Sequence, residues 1–337
     1  MDQVNLKKMA EHLGLSISTV SRALRDSYEI GTKTKLKVKA LAEEWNYMPN
    51  PYASSLRKQR TGNIALVVPE VANNFFAQAI NGIEAIAQEK GYHVLIYLTH
   101  DDLEKEMEIA RHLMSGRVDG IIMSLSGEAN NTHHIKSLKE KGLPVILFDR
   151  VSETLGCSTV TTDDYAAGFK ATEHLIKAGC KQISYLFISK HLYTAQKRMQ
   201  GYKDALAKHG LPLNEKLILH CSTDNEKNQE PILKMLNSKN RPDGIFASVE
   251  RLAIATYHAC NTLKLKIPEK VKVVSFSNLE IASLLNPGLS TLAQPAFDMG
   301  KQAATLLFRQ LEKKSGSNIA EKIVLKSELI QRESTGR

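Results

Sequence analysis

Apolar positions change period along this chain. Near the start, Leu6, Met9, Ala10 and Leu13 recur at i, i+3, i+4 and i+7, the spacing of one helix face. Gly14 interrupts that pattern, and Ser16, a good N-cap, opens a second helix in which Val20, Ala23 and Leu24 share a side. Val38, Leu41, Ala42 and Trp45 repeat the helical spacing a third time. Two helices joined by a short glycine-containing turn, with a third closing the core, predict an all-α helix-turn-helix headpiece over residues 1–48.

From Asn63 onward the runs IALVV, YHVLIYL, DGIIMSL, PVILFD, QISYLFI, KLILH, DGIFAS and VKVVSF alternate with helical stretches. Continuous Val/Ile/Leu runs separated by helices predict α/β architecture, with parallel sheets covered on both faces. A weak internal repeat divides this region. INGIEAIAQEKGY resembles MQGYKDALAKHGL, with Gly82 and Gly91 nine apart in one and Gly201 and Gly210 nine apart in the other, while VDGIIMS matches PDGIFAS. Two similar lobes follow, and a ligand in such a fold sits outside the carboxyl ends of the strands, between them. Strand ends nominate Asn73, Phe76, Asp149, Arg150 and Asp163, and from the second lobe Arg198, Glu250 and Ser277. Carboxylates and arginines give charge-assisted bonds to hydroxyls, and a phenylalanine stacks on an apolar face, so a small polar ligand is expected.

Charge changes the picture at one end. The formal net charge is +9, and residues 1–60 hold eleven Lys/Arg against six Asp/Glu. That excess, on a helix-turn-helix, points to phosphates and double-stranded DNA. Ser16, Ile17, Ser18, Thr19, Ser21, Arg22 and Arg25 then form the DNA-facing part of the second helix: short hydroxyls allow close approach to a backbone, Arg22 suits a guanine edge and Ile17 a thymine methyl. The stretch NYMPNPYASSLRKQRTGN carries Asn50 and Pro51 as a helix start, and that helix ends by about Arg57. So short a helix is marginal alone. Residues 49–61 are therefore expected to be a hinge, disordered when free and helical on DNA. Asn50 caps it, Ala53 and Leu56 wedge into a minor-groove step, and Arg57, Lys58 and Arg60 meet phosphates.

Other chemistry is not indicated. GxGxxG, P-loop, HExxH and GxSxG patterns are absent, and His133-His134 falls in a polar loop without a partner at ligand spacing, so neither catalysis nor a cofactor is expected. Cys157, Cys180, Cys221 and Cys260 lack metal or disulfide spacing, which predicts no metal site and a reduced cytoplasm. The charged start MDQVNLKKMAEH is unlike a secretory signal, and no run reaches the roughly 18 apolar residues of a membrane span.

Eight motifs in order, LSISTVSRAL, NYMPNPYASSLR, NIALVVPEVANNFFAQAINGIE, RVDGIIMS, LPVILFDR, KRMQGYKDAL, LSTLAQPAFDMGKQAATLL and ELIQRES, make the chain similar nearly end to end to the LacI/GalR family of transcriptional regulators. The resemblance implies a periplasmic-binding-protein-like two-lobed core whose chain crosses between lobes more than once. Residues 62–161 with 292–322 would then form one lobe, and 162–291 with 323–337 the other. It also implies base reading by Ile17, Ser18 and Arg22, intercalation by Leu56, effector contact by Phe76, Asp149 and Arg198, and a homodimer on a near-palindromic operator. The sequence departs from the family where an acid usually follows the late strand: Ser277 stands there, and Val249-Glu250 replaces an Asn-Asp pair. The expectation is a DNA-binding regulator, a repressor controlled by a small polar metabolite, with a neutral sugar the leading candidate. The alternative is a cytosolic solute- or partner-binding sensor without specific operator recognition.

Overall fold

The computed structural model describes residues 5–47, 60–126, 131–189, 192–222, 224, 226–313 and 319–336. It divides into two units, residues 1–61 and 62–337. The expected hinge contacts Asn50, Ala53, Leu56, Arg57 and Lys58 lie outside the described residues.

In the first unit, α1 (Leu6–Leu13), α2 (Ile17–Leu24) and α3 (Thr32–Glu44) form the predicted three-helix headpiece. Local chemistry sets the boundaries. Asn5 caps α1 by accepting from the Lys8 amide at 3.0 Å, and Gly14, at φ 61°, ends it while its N–H satisfies late carbonyls of the helix. Ser16 caps α2 by accepting from the Thr19 amide at 3.1 Å. Met9, Ala10, Val20, Ala23, Val38, Leu41 and Ala42 are buried together, and Trp45 closes the core edge-on to His12 at 4.9 Å.

The second unit holds two six-stranded sheets. The first orders as β11-β5-β4-β3-β1-β2, all parallel, from β1 (Asn63–Val68), β2 (His93–Leu98), β3 (Gly120–Met123), β4 (Val145–Phe148), β5 (Ser158–Thr162) and β11 (Lys322–Leu325). The second orders as β12-β10-β9-β8-β6-β7, from β6 (Ile183–Phe187), β7 (Ile218–His220), β8 (Gly244–Ala247), β9 (Lys272–Phe276), β10 (Ser290–Ala293) and β12 (Glu328–Ile330). It is parallel except for β12, an antiparallel edge on β10. The chain thus passes between lobes after Thr162, after Ala293 and after Leu325. The later two passages fall a few residues beyond the expected 292 and 322, because Leu292 still pairs with Phe276, and Ile323 to Leu325 pair with Val160 to Thr162.

Around the first sheet lie α4 (Asn74–Glu89), α5 (Leu103–Leu113), α6 (His133–Glu140) and α11 (Ala296–Glu312); around the second lie α7 (Asp164–Lys177), α8 (Tyr193–Lys208), α9 (Glu226–Leu236) and α10 (Glu250–Thr262). The repeated glycine pairs now have a physical meaning. A Cβ on Gly82 would collide with the Phe297 carbonyl, and one on Gly201 with the Tyr165 carbonyl, so each marks the point where two helices touch backbone to backbone. Gly91 and Gly210, at φ 71° and 67°, supply the left-handed exits from those helices.

One expectation is corrected here. His133 and His134 open α6 rather than lying in a loop, and His134 is buried. Its Nε2 sits 2.7 Å from Glu106 Oε1, and the other oxygen of that buried carboxylate accepts from the Ser126 amide at 2.6 Å. The pair is invisible in sequence because Glu106 comes from a different helix.

Candidate ligand cleft and nucleic-acid face

Loops at the carboxyl ends of the strands line a cleft, open at its mouth, between the two lobes. Asn73, Phe76, Asp149, Arg150, Arg198, Glu250 and Ser277 all line it. Asp163 does not. It is exposed and caps α7, accepting from the Ala166 amide at 2.9 Å; a helix starting there needs the cap, and the inward position falls to Asp164.

Arg198, from the buried face of α8, is fixed on every side. Its Nε donates to Asp164 Oδ1 at 2.7 Å, Nη1 to the Ser248 carbonyl at 2.9 Å and Nη2 to Gln294 Oε1 at 3.4 Å, while the guanidinium stacks 3.7 Å above the Phe276 ring. Of its five N–H bonds three are used, which leaves two for a ligand in a preset plane. Gln294 is itself held, donating to Thr162 Oγ1 at 3.1 Å and accepting at its backbone carbonyl from Asn278 at 2.7 Å. Burial pushes the Asp164 carboxyl up to about 6, against the pull of the Arg198 charge. Its second oxygen is buried and has no hydrogen-bond partner among the described residues.

On the first lobe, Asp149 follows β4 in the left-handed region at φ 59°, a conformation aspartate tolerates better than most residues. It is 8% exposed, and burial raises its pKa against the opposing charges of Arg150 and Arg198. Arg150 pairs with Asp101, has its Nε 3.8 Å from Asp149 and lies 5.9 Å from the Phe76 ring centre. Glu250, at the start of α10, accepts from the Ser277 hydroxyl at 2.9 Å and from Asn74 at 3.3 Å. Sequence reasoning missed Asp164, Ser248, Phe276, Asn278 and Gln294. Phe276 and Asn278 flank the nominated Ser277, so the strand-end signal was present, whereas Gln294 required knowing that β10 exists.

On the headpiece, Ile17 is 48% exposed, and Ser18, Arg22 and Arg25 are also exposed. The hydroxyls are less free than expected. Ser16 Oγ, besides capping, lies 2.8 Å from both Ser18 Oγ and Thr19 Oγ1, and Arg25 folds back to donate to the Ser21 carbonyl and hydroxyl at 3.0 and 2.9 Å. Arg22 Nη1 lies 3.0 Å from Glu29 in a half-exposed ion pair. Lys35 and Lys39 converge on Asp26, and the hydrogen bond from Lys35 is the main cause holding that carboxyl below its usual range.

Two family models match this chain: bacterial regulatory proteins of the lacI family over residues 5–50, and the periplasmic binding proteins and sugar binding domain of the LacI family over residues 61–332. The HTH-type transcriptional regulator DegA of Bacillus subtilis is 31% identical over 328 residues, 97% of this chain and 96% of that protein. The ribose operon repressor of Halalkalibacterium halodurans is 28% identical over 331 residues, 98% of this chain and 96% of its own. Among solved structures, a transcriptional regulator CelR–cellobiose complex shares the fold with a TM-score of 0.74 at 24% identity, covering 98% of this chain and 100% of that one.

Proposed function

Because this chain belongs to the LacI family of bacterial regulatory proteins, and is a regulator and not an enzyme, we propose that it is a cytoplasmic homodimeric repressor reading a near-palindromic operator under control of a neutral sugar-like effector. The observation that carries this reading is the cleft itself. Its charged lining comprises two acids, Asp149 and Glu250, and two arginines, Arg150 and Arg198, so it favours no net charge and offers donors and acceptors to hydroxyls. Ile17, Ser18 and Arg22 would enter the major groove, with Arg22 exchanging Glu29 for a guanine edge.

Operator selection from random duplexes, followed by titration of variants, tests the reading. Arg22→Ala should cost about 1–3 kcal/mol at one base pair and relax specificity there, whereas Lys58→Ala should weaken all sequences and flatten the salt dependence. Equal losses on selected and random DNA for both variants would overturn it. A sugar panel in a thermal-shift assay tests the effector class, since a ligand at 100 times its Kd stabilises by about 2.7 kcal/mol.

A further inference from the structure

Three polar side chains of the first lobe stand four residues apart, Glu70, Asn74 and Gln78, and each bonds to the second lobe. Glu70 Oε1 accepts from Arg251 Nη2 at 2.6 Å, Glu250 Oε1 accepts from Asn74 Nδ2 at 3.3 Å, and Gln78 Oε1 accepts from Asn278 Nδ2 at 3.0 Å. Glu70 follows β1, three places along its sheet from the crossing strand β5, while Arg251 follows β8, two places from β10. The Glu70–Arg251 and Asn74–Glu250 contacts therefore lie away from the passages that tether the lobes, where a bond has leverage over opening, while Gln78 meets Asn278 beside the passage after Ala293, where Asn278 also bonds Gln294. Asn74 and Gln78, four apart at the start of α4, share one face of that helix, and Glu70 lies in the turn before it, so the three follow one another in a row along the chain. All are only partly exposed, which protects the Glu70–Arg251 pair from full solvent screening.

We propose that Glu70, Asn74 and Gln78 form a latch that holds the lobes closed through the chain's own groups. Glu250 joins this latch to the cleft: one carboxylate oxygen takes Asn74 and the other takes Ser277, at the position where the family's acid is missing. Resting on the effector reading above, a ligand hydroxyl donated to Glu250 competes with the Asn74 amide, so cleft occupancy acts on the middle member of the row.

Amide hydrogen exchange on the full-length protein, without DNA or small molecule, tests the latch. Glu70→Lys and Arg251→Glu should each speed exchange in residues 70–79 and 248–254 by about threefold or more, and the double swap should return both segments toward the wild-type rate. Exchange in α6, away from the row, should not change and reports that the variants are folded. Should Glu70→Lys fail to fold, Glu70→Gln removes the same ion pair without a new charge and should show about a twofold increase. Single variants that exchange at the wild-type rate, or a double swap no closer to wild type than either single, would overturn the latch. Neither arm involves an operator or effector, so a failed operator search would leave the latch standing.

Discussion

In the second lobe the cleft guanidinium of Arg198 is held by Asp164, Ser248, Gln294 and the Phe276 ring, whereas in the first lobe Arg150 reaches outward to Asp101 and stands only loosely beside Asp149. The frames carrying these charges are alike: each lobe has a sheet of mainly parallel strands and a pair of helices pressed together at a glycine. A shared frame with unequal charge fixation gives the lobes different parts in binding. One presents donors whose ordering entropy was met on folding, and the other retains freedom to adjust to what arrives.

The largest effect should come from breaking that inequality. Arg198→Ala leaves Asp164 buried without its cation and should cost about 3–5 kcal/mol in urea unfolding, while Arg150→Ala should cost about 1 kcal/mol or less. Equal losses would mean that both arginines are equally fixed. Proton linkage sharpens the same contrast. The folded Asp164 carboxyl, at about 6 instead of 3.8, binds its proton more tightly than it does in the unfolded chain. Its contribution is therefore fully present below about pH 4 and lost as pH rises through about 6, a change of about 3 kcal/mol. The stability difference between wild type and Asp164→Asn should fall across that window and stay flat above it; a rise would show that the Arg198 charge outweighs burial. A smaller effect than the loss of Arg198 tests the sameness of the frames. Gly82→Ala and Gly201→Ala should each lose about 1–3 kcal/mol by forcing paired helices apart, and a large inequality would end the structural equivalence of the repeats.

What was legible in sequence follows the same physics. Strands β1 to β4 and β6 to β9 announce themselves as unbroken apolar runs, because they fill the middle of the sheets or bring apolar faces to an edge. The other four were missed. β5 is STVTT, whose buried hydroxyls find partners such as Gln310 and Gln294 and so need no apolar run; β10, β11 and β12 are three or four residues long and carry Ser, Lys or Glu. These are also the strands at the lobe crossings, which is why the later boundaries fell a few residues away from the expected ones. Seven of eight nominated residues line the cleft because strand ends must converge there, while Asp163 and Asp164 could be told apart only by the helix cap. The hydroxyls of α2, expected to face DNA, have a partly structural role, since Ser16 and Ser21 serve the helix and Arg25 before they can serve anything else.

The order of the chain passages bears on synthesis. Beneath the first sheet, Ile64, Leu66, Ile83 and Ile122 are covered by Met299, Ala303 and Leu307 of α11, which is translated only after about 130 residues of the other lobe. At about 5–20 residues per second, that half-built apolar layer waits on the ribosome for roughly 7–25 s before its cover emerges. The lobe that begins first thus waits for its cover until most of the other has been made, and nascent-chain chaperones would meet it as an open sheet.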